Sequence, residues 1–506
     1  MRRQRAQADL DADRSAADRN KLGQFATPPD LAACIARLAL AYLGNHTVRF
    51  LEPSIGTGAF YSALVSNCPT VRIETATGFE IDPRFVDAAR ALWSESGLVV
   101  TACDFTTATP PQREGDLATL ILANPPYVRH HHLERFHKAA LQQQSERIVG
   151  SKVSGLAGLY VHFLLLAHDW MCDGAIGAWL VPTEWMDVNY GVALKEYLCS
   201  KVHLLRVHCF DAEDAQFADA LVSSSVLFFR KGQPNADATC ELTVGALQAP
   251  ATTQTVPLSV LRFAPKWRPH FSPANPQRPH HRGPPAVTLG DLVFVKRGIA
   301  TGGNAFFVRT HAEFLRLGIP EKFLRPVLPS SRQLKADVIG RRPDGYPDTA
   351  EPLALLDCDV SEDEVRDCHP ELRAYLESEA GQQTRQRYLT SRRRPWYSQE
   401  RRALAPVLTT YMGRGRPGHP PFRFLWNQSD ATATNVYLLL IPRPKLALLL
   451  AEDPQAARLI VDFLRDTDPA ELLGQGRVYG GGLHKLEPRE LGRLDATRLA
   501  ATLGNP

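Results

Sequence analysis

Four consecutive residues, Asn124, Pro125, Pro126 and Tyr127, carry groups that suit the chemistry of an aromatic amine. Such an amine is a poor nucleophile because its lone pair is conjugated with the ring. Two acceptors aimed at its N–H groups, the Asn124 side-chain oxygen and the Pro125 carbonyl, can draw the nitrogen toward tetrahedral geometry. The prolines fix φ and make that carbonyl rigid, and Tyr127 offers a ring on which a base can stack. The lone pair can then attack a sulfonium methyl group in line, so catalysis rests on positioning.

A glycine-rich turn predicts a pocket for a cationic cofactor. Val48–Leu51 is typical of a strand and leads into the sequence EPSIGTG, residues 52–58, whose glycines permit a tight turn and close approach to a ligand. The turn matches neither the GxGxxG nor the GxxxxGK[ST] phosphate-binding pattern. A carboxylate at Glu52 would repel a pyrophosphate and suit an amino-bearing ligand. The sequence therefore favours S-adenosylmethionine over NAD or ATP.

Acidic and aromatic residues follow the next two strands of the pattern. Glu80 and Ile81 follow the strand-like run that starts at Ile73, where an acidic residue is placed to hold ribose hydroxyls. Asp104 and Phe105 follow a third run and are suited to bind and stack an adenine ring.

These residues need a scaffold that gathers strand ends, and the first half of the chain has the required alternation. Strand-like runs cover residues 48–51, 73–80, 118–123, 175–181 and 221–229, and helical runs cover 28–45, 60–68, 85–92 and 159–171. This order predicts an α/β fold with a Rossmann-like, doubly wound and mainly parallel sheet. Ligands bind such sheets beyond the carboxyl ends of the strands.

Length and composition indicate two lobes. The chain has 506 residues, of which 44% are hydrophobic and 22% charged, with a net charge of +4; at about 100–200 residues per domain this predicts two to four folded domains. The proline-rich residues 264–285 are interpreted as a linker, residues 1–20 as a polar lead-in, 21–263 as the catalytic domain and 286–506 as a second, mixed α+β domain. Any basic surface must be local, because the net charge is small.

Composition also bears on location and metals. No run of about 18 apolar residues predicts a membrane span. Nine scattered cysteines without a CxxC pair favour a reducing compartment, and we expect the cytoplasm. His130, His131 and His132 lack a carboxylate at ligand spacing and are interpreted as a loop, so no metal is expected.

Together the motifs resemble those of DNA amino-methyltransferases of the gamma arrangement, such as the Taq-type adenine-N6 enzymes and the Eco57I-like restriction-modification methylases. GQFATP, residues 23–28, is similar to their N-terminal cofactor motif, and LEPSIGTGAF, residues 51–60, to their glycine-rich motif. NPPY matches their catalytic motif. Residues 216–224 resemble the motif whose aromatic residue stacks on the flipped base, which makes Phe217 the partner of Tyr127. The resemblance implies that the cofactor contacts are Phe25, Thr27, Pro28, Glu52, Pro53, Gly56, Gly58, Glu80, Ile81, Asp104, Phe105 and Asn124.

The resemblance implies transfer of a methyl group from S-adenosylmethionine to N6 of an adenine flipped out of double-stranded DNA. Flipping costs a few kcal/mol, and stacking on two aromatic rings at about 1–3 kcal/mol each can offset it. The second lobe would be a target-recognition domain, and basic residues are suited to phosphates and guanine. The candidate DNA contacts are Lys296, Arg297, Arg392, Arg393, Arg394, Arg414 and Arg416. A separate restriction endonuclease, a monomeric state and no membrane partner are expected.

Other functions remain open at this stage. Cytosine-N4 methylation uses the same geometry, although those enzymes more often carry Ser in place of Asn124. Enzymes that methylate RNA or a protein glutamine also use NPPY, but they usually lack a large second lobe of this kind. A catalytically silent DNA-binding module conflicts with the intact motifs. No intrinsic DNA cleavage is expected.

Overall fold

A nine-stranded sheet forms the centre of the first of two units in the computed structural model. The structure describes all residues except 1, 16–17, 20–21, 45–46, 129–134, 212–222, 272–284, 416–420, 469–470, 473–475, 480–482 and 505–506. The first unit comprises residues 1–278 and 479–481, and the second comprises 279–478 and 482–506.

The described residues of the first unit form nine strands and eight α-helices. The strands are β1 Thr47–Glu52, β2 Arg72–Glu80, β3 Leu98–Ala102, β4 Ala118–Ala123, β5 Met171–Pro182, β6 Val202–Cys209, β7 Ser224–Lys231, β8 Thr239–Gly245 and β9 Pro250–Pro257. The helices are α1 Arg2–Ala12, α2 Pro29–Leu43, α3 Ala59–Asn67, α4 Pro83–Trp93, α5 Arg135–Val149, α6 Leu159–Leu166, α7 Val192–Ser200 and α8 Leu258–Phe263.

The strand order is β3-β2-β1-β4-β5-β7-β6-β8-β9. The first five strands are parallel, which confirms the predicted α/β sheet. β7 runs antiparallel to both β5 and β6, and β9 runs antiparallel to β8, so the sheet is more mixed than the sequence predicted. The reason is that β7 has six consecutive buried residues. A continuous apolar run is typical of a parallel strand buried on both faces, whereas antiparallel strands more often alternate between apolar and polar residues. The sequence of β7 therefore did not indicate an antiparallel strand.

Several predicted boundaries differ from the structure, three of them as follows. Within the predicted polar lead-in, Arg2–Ala12 forms helix α1. The predicted helix over residues 159–171 ends as an α-helix at Leu166 and continues as one 3₁₀ turn to Trp170. The start of the predicted strand 221–229 lies outside the described residues, and β7 begins at Ser224.

The linker prediction is wrong for its first part. Trp267 is fully buried and packs edge-to-face on Trp185 with ring centroids 5.1 Å apart. Arg268 pairs with Asp187 at 2.8 Å, and Phe271 is also buried in the core. Proline content therefore marked irregular backbone, while the aromatic residues between the prolines anchor that backbone to the first unit.

The second unit contains three small sheets with strand orders β10-β18-β15-β17-β13, β11-β14-β12 and β16-β20-β19. Its strands are β10 Val293–Arg297, β11 Val308–Thr310, β12 Leu324–Val327, β13 Val338–Ile339, β14 Leu353–Leu356, β15 Val407–Thr410, β16 Met412–Arg414, β17 Phe424–Asn427, β18 Tyr437–Pro442, β19 Gly476–Tyr479 and β20 Leu483–Leu486. Its helices are α9 Leu289–Leu292, α10 Asn304–Phe307, α11 His311–Arg316, α12 Glu362–Cys368, α13 Pro370–Glu377, α14 Glu379–Arg385, α15 Pro444–Glu452, α16 Ala456–Asp466, α17 Pro488–Leu491 and α18 Thr497–Thr502. Within the described part of the chain, no helix is both long and apolar enough to cross a membrane.

Candidate active site

The NPPY tetrapeptide, predicted to be catalytic, begins directly after β4, which lies between β1 and β5 in the parallel part of the sheet. The Asn124 side-chain amide donates from Nδ2 to the Phe25 carbonyl at 2.8 Å and to Thr27 Oγ1 at 3.1 Å. These two bonds fix the orientation of the amide. Asn124 Oδ1 is buried and has no hydrogen-bond partner among the described residues. Leaving a buried acceptor without a hydrogen bond costs about 1–3 kcal/mol of stability. A bound ligand that donates an N–H to this oxygen would recover that cost.

Hydrogen bonds fix both the backbone and the side chain of Tyr127. Its backbone N–H donates to the Gly23 carbonyl at 3.2 Å, and its hydroxyl donates to the Leu180 carbonyl at 3.2 Å. Its ring lies 5.4 Å from the Phe25 ring and 6.4 Å from the Tyr160 ring, measured between centroids. Burial raises the pKa of the Tyr127 hydroxyl, so the phenol is neutral. Phe217, the predicted second stacking residue, lies outside the described residues.

A cavity of about 210 Å³ opens at the carboxyl ends of β1, β2, β3 and β4. Eight of the residues predicted from the sequence line it: Phe25, Pro53, Gly56, Glu80, Ile81, Asp104, Phe105 and Asn124. Pro126 of the catalytic motif lines it as well. The structure thus brings eight of the predicted cofactor residues and part of the predicted catalytic motif together at one edge of the sheet.

Glu80 is anchored by three backbone amides. Its carboxylate accepts from the N–H of Gly56 at 3.0 Å and from those of Ile81 and Asp82 at 2.9 Å. Burial raises the pKa of Glu80, and these three bonds oppose that rise. A carboxylate fixed in this way can accept from a ligand hydroxyl without reorganising.

Asp104 and Phe105 form the wall beyond β3. One Asp104 oxygen accepts from the Thr106 amide at 2.9 Å, and the other lies 3.7 Å from His137 Nε2. Phe105 is buried and packs against Phe79 and Phe163. This wall combines an aromatic surface with a carboxylate, as the adenine ring of a cofactor requires.

Four of the predicted cofactor residues lie behind the cavity instead of lining it. Glu52 is buried, and its carboxylate accepts from the Tyr61 amide at 3.4 Å; it supports the glycine-rich turn, whereas the sequence placed it facing a ligand. Burial raises the pKa of Glu52 well above its usual value. Thr27 anchors Asn124, and Pro28 precedes α2. Gly58 has φ +80°, and a Cβ there would lie 2.6 Å from Trp93 Nε1.

The sequence analysis missed the contribution of helix α1. Gln7 and Asp11 both line the cavity, and Arg3 is buried, with its guanidinium donating to Thr57 Oγ1 at 3.1 Å. A polar stripe at positions 3, 7 and 11 was the available signal, because residues four apart share one face of a helix. Leu22 and Gln24 from the segment after α1 also line the cavity.

The predicted DNA contacts of the second unit fall into two groups. Lys296, Arg297, Arg392, Arg394 and Arg414 are exposed, and the Arg297 guanidinium lies 4.2 Å from the centroid of the Tyr411 ring. Arg393 instead donates to the carbonyls of Thr301 and Ser398 at 2.9 and 3.0 Å, which makes it a structural residue. Arg416 lies outside the described residues.

Two further features of the second unit limit where DNA can bind. Trp396 and Tyr397, which follow the run of arginines, are buried in a hydrophobic core and are not available to stack on bases. The charged residues that line an open cleft of about 900 Å³ are four acids and one base: Asp466, Asp468, Glu471, Asp495 and Arg498. Its acidic lining is unsuited to phosphates.

The cavity of the first unit fits S-adenosylmethionine. Asp11, Glu80 and Asp104 line it together with Phe25 and Phe105, and no Lys, Arg or His is among its described lining residues. This combination suits a ligand that carries positive charge, a ribose and an adenine ring. Among the described residues, no group of three His, Cys, Asp or Glu side chains could hold a metal ion.

The sheet, the cavity and the catalytic motif define the class of protein: the fold is that of a class I S-adenosylmethionine-dependent methyltransferase. Residues 116–217 match the family model described as Eco57I restriction-modification methylase. Residues 281–504 match the model described as Type II methyltransferase M.Eco57I, C-terminal domain. Both matches support an Eco57I-like restriction-modification methylase that methylates DNA, and its cofactor is S-adenosylmethionine.

Similarity to individual proteins extends over both units. The chain is 28% identical to Type II methyltransferase M.XamI of Xanthomonas campestris pv. amaranthicola, with 91% of this chain and 83% of the relative aligned. It is 24% identical to Type II methyltransferase M.AccI of Acinetobacter calcoaceticus, with 94% and 85% aligned. A solved structure of the type IIL restriction-modification enzyme MmeI in complex with DNA aligns with 85% of this chain and 61% of its own, at 12% identity and a TM-score of 0.48.

Proposed function

We propose that this protein methylates N6 of an adenine that has been flipped out of duplex DNA at a specific site. The observation that carries the proposal is the buried Asn124 Oδ1, which has no hydrogen-bond partner among the described residues, while the Nδ2 of the same amide is held by Phe25 and Thr27. An acceptor in this state matches one N–H of an exocyclic amine.

The chain's own groups position the amine. Asn124 Oδ1 accepts one N–H, and the Pro125 carbonyl, fixed by the proline ring, accepts the other. Both bonds strengthen as positive charge develops on the nitrogen, so they stabilise the transition state more than the bound substrate. Tyr127 forms a wall on which the flipped base stacks, and Phe217 is proposed as the opposite wall. The bound cofactor supplies a methyl group on a sulfonium centre.

Cytosine-N4 is the competing target, because its amine presents the same two N–H groups. The family resemblance favours adenine, since Asn124 stands where cytosine-N4 enzymes more often carry Ser. We propose that the second unit selects the DNA site, with Lys296, Arg297, Arg392, Arg394 and Arg414 as contacts. We further propose that the protein protects that site from a separate endonuclease, acts as a monomer and works in the cytoplasm.

Two measurements test the proposal. Duplex DNA methylated by the protein is digested to nucleosides and analysed by mass spectrometry, and N6-methyladenine is expected. N4-methylcytosine without N6-methyladenine would refute the choice of base. In parallel, Asn124→Ala is expected to lower the methylation rate by at least about 10²-fold. The control Asn67→Ala, at an exposed position at the end of α3, is expected to keep the full rate. Full activity of the Asn124 variant would refute the role of its side-chain oxygen.

A further inference from the structure

Helix α1 has one polar face that packs on the cofactor turn. Arg3, Gln7 and Asp11 are spaced four residues apart, so they lie in a row along this face. Arg3 and Gln7 both contact Thr57 of the glycine-rich turn, and Gln7 and Asp11 line the cavity. The helix therefore forms part of the cofactor site.

Hydrogen bonds along this face orient the Asp11 carboxylate. Arg3 donates to Thr57 Oγ1 at 3.1 Å, and Thr57 Oγ1 donates to Gln7 Oε1 at 2.8 Å. Gln7 Nε2 then donates to Asp11 Oδ1 at 3.1 Å. Arg3 can only donate and the Asp11 carboxylate can only accept, while Thr57 and Gln7 between them do both, so every bond of this series has one direction. Asp11 is thus positioned by the same glycine-rich turn whose Pro53 and Gly56 line the cavity.

The negative charge of Asp11 can distinguish the methyl donor from the product. S-adenosylmethionine carries a sulfonium charge that the product, S-adenosylhomocysteine, lacks, while the two ligands share the same amino acid and adenosine groups. A carboxylate in the cavity stabilises the charged ligand more than the neutral one. Among the described lining residues, Asp11, Glu80 and Asp104 are acidic and none is basic.

We propose that Asp11 makes the pocket discriminate between the cationic methyl donor and the neutral product. Both oxygens of Glu80 accept from backbone N–H groups, and Asp104 bonds to the Thr106 amide and faces His137. Of the two Asp11 carboxylate oxygens, Oδ1 accepts from Gln7, and Oδ2 has no hydrogen bond among the described residues. The inference rests on the proposed cofactor pocket and is independent of the base that is methylated. Its consequence is weaker product inhibition, because the product leaves once the sulfonium charge is consumed.

The test is equilibrium binding of S-adenosylmethionine and of S-adenosylhomocysteine to the full chain, measured by calorimetry without DNA. Asp11→Asn keeps the shape of the side chain and removes its charge. We expect it to weaken donor binding about tenfold and product binding no more than about twofold. The matched control is Asp9→Asn, which makes the same change at an exposed position of the same helix and should alter neither affinity.

The possible results separate this inference from the pocket assignment. An unchanged ratio of the two affinities in Asp11→Asn would overturn the inference, and so would an equal change in Asp9→Asn. Glu80→Gln is measured alongside, and it should weaken both ligands because both carry the ribose. If Glu80→Gln leaves both affinities intact, the proposed pocket itself is wrong.

Discussion

The backbone of Gly23, in the GQFATP segment, packs directly against the backbone of Tyr127 in the NPPY segment. Replacing Gly23 therefore tests whether this close backbone contact is needed. Gly23 has φ +67°, and its carbonyl accepts from the Tyr127 amide at 3.2 Å. A Cβ at this position would lie 2.4 Å from Tyr127 N and 2.8 Å from Val128 N. Both contacts are with backbone, so no side-chain rotation can relieve them. Gly23→Ala must therefore move the chain at the catalytic tetrapeptide.

The magnitude follows from three contributions. A left-handed backbone costs a non-glycine residue about 1–2 kcal/mol. Loss of the hydrogen bond to Tyr127 costs about 1 kcal/mol, and the backbone overlap adds to both. We expect Gly23→Ala to lower the free energy of unfolding by about 2–4 kcal/mol. Since a 1 Å displacement of reacting groups can cost about 10²-fold in rate, the methylation rate should fall by about that factor.

Gly44 provides a matched control. It has φ +69°, almost the same as Gly23, but a Cβ there would meet nothing within 4 Å. Gly44→Ala should therefore carry only the backbone cost of about 1–2 kcal/mol and keep the methylation rate.

Stability is measured by urea unfolding followed through tryptophan fluorescence, because Trp179, Trp185 and Trp267 are fully buried in the first unit. The rate is measured with labelled S-adenosylmethionine. Equal losses of stability and activity in the two alanine variants would show that the close approach of Gly23 to Tyr127 has no energetic role.

Two further predictions concern buried and exposed charge. Because the pKa of Glu52 is raised in the fold by burial, its contribution favours folding at low pH and is lost as the pH rises through the raised value. Glu52→Gln should remove that part of the slope when unfolding midpoints are compared between acidic and neutral pH, and an unchanged slope would contradict the assignment. Arg297→Ala should reduce the salt dependence of DNA binding by about 0.9 in the log–log slope. Arg393→Ala should keep that slope and instead lower the free energy of unfolding, because its guanidinium donates to internal carbonyls. A smaller slope for Arg393→Ala together with lower stability for Arg297→Ala would show that Arg393 contacts DNA and that Arg297 is the structural residue.

Much of the candidate site could be predicted from the sequence because it is built from short segments at the ends of strands. β1 and β2 end in motif residues, and the motif residues that belong with β3 and β4 follow those strands within two positions. In a parallel sheet these ends meet at one edge, so local order along the chain fixes the neighbourhood in space. NPPY carries its own geometry, since the prolines restrict the backbone whatever surrounds it.

Other features depended on contacts between segments far apart in the chain. The motif does not specify which way the Asn124 amide points; Phe25 and Thr27, about 100 residues earlier, decide it. The direction of β7 is hidden because both of its faces are buried. Composition could not separate Arg297 from Arg393, because both stand in basic runs and only their tertiary partners differ.

The sequence by itself determined the parallel strands, the glycine-rich turn and the rigid backbone of the NPPY tetrapeptide, because local backbone restriction and strand order are encoded by neighbouring residues. The tertiary structure decided the rest. It placed α1 over the glycine-rich turn, anchored Trp267 in the core, and put Glu52 behind the cavity that it had been expected to face. Each of these outcomes depends on burial, and the burial of a side chain is set by segments that pack against it from elsewhere in the chain.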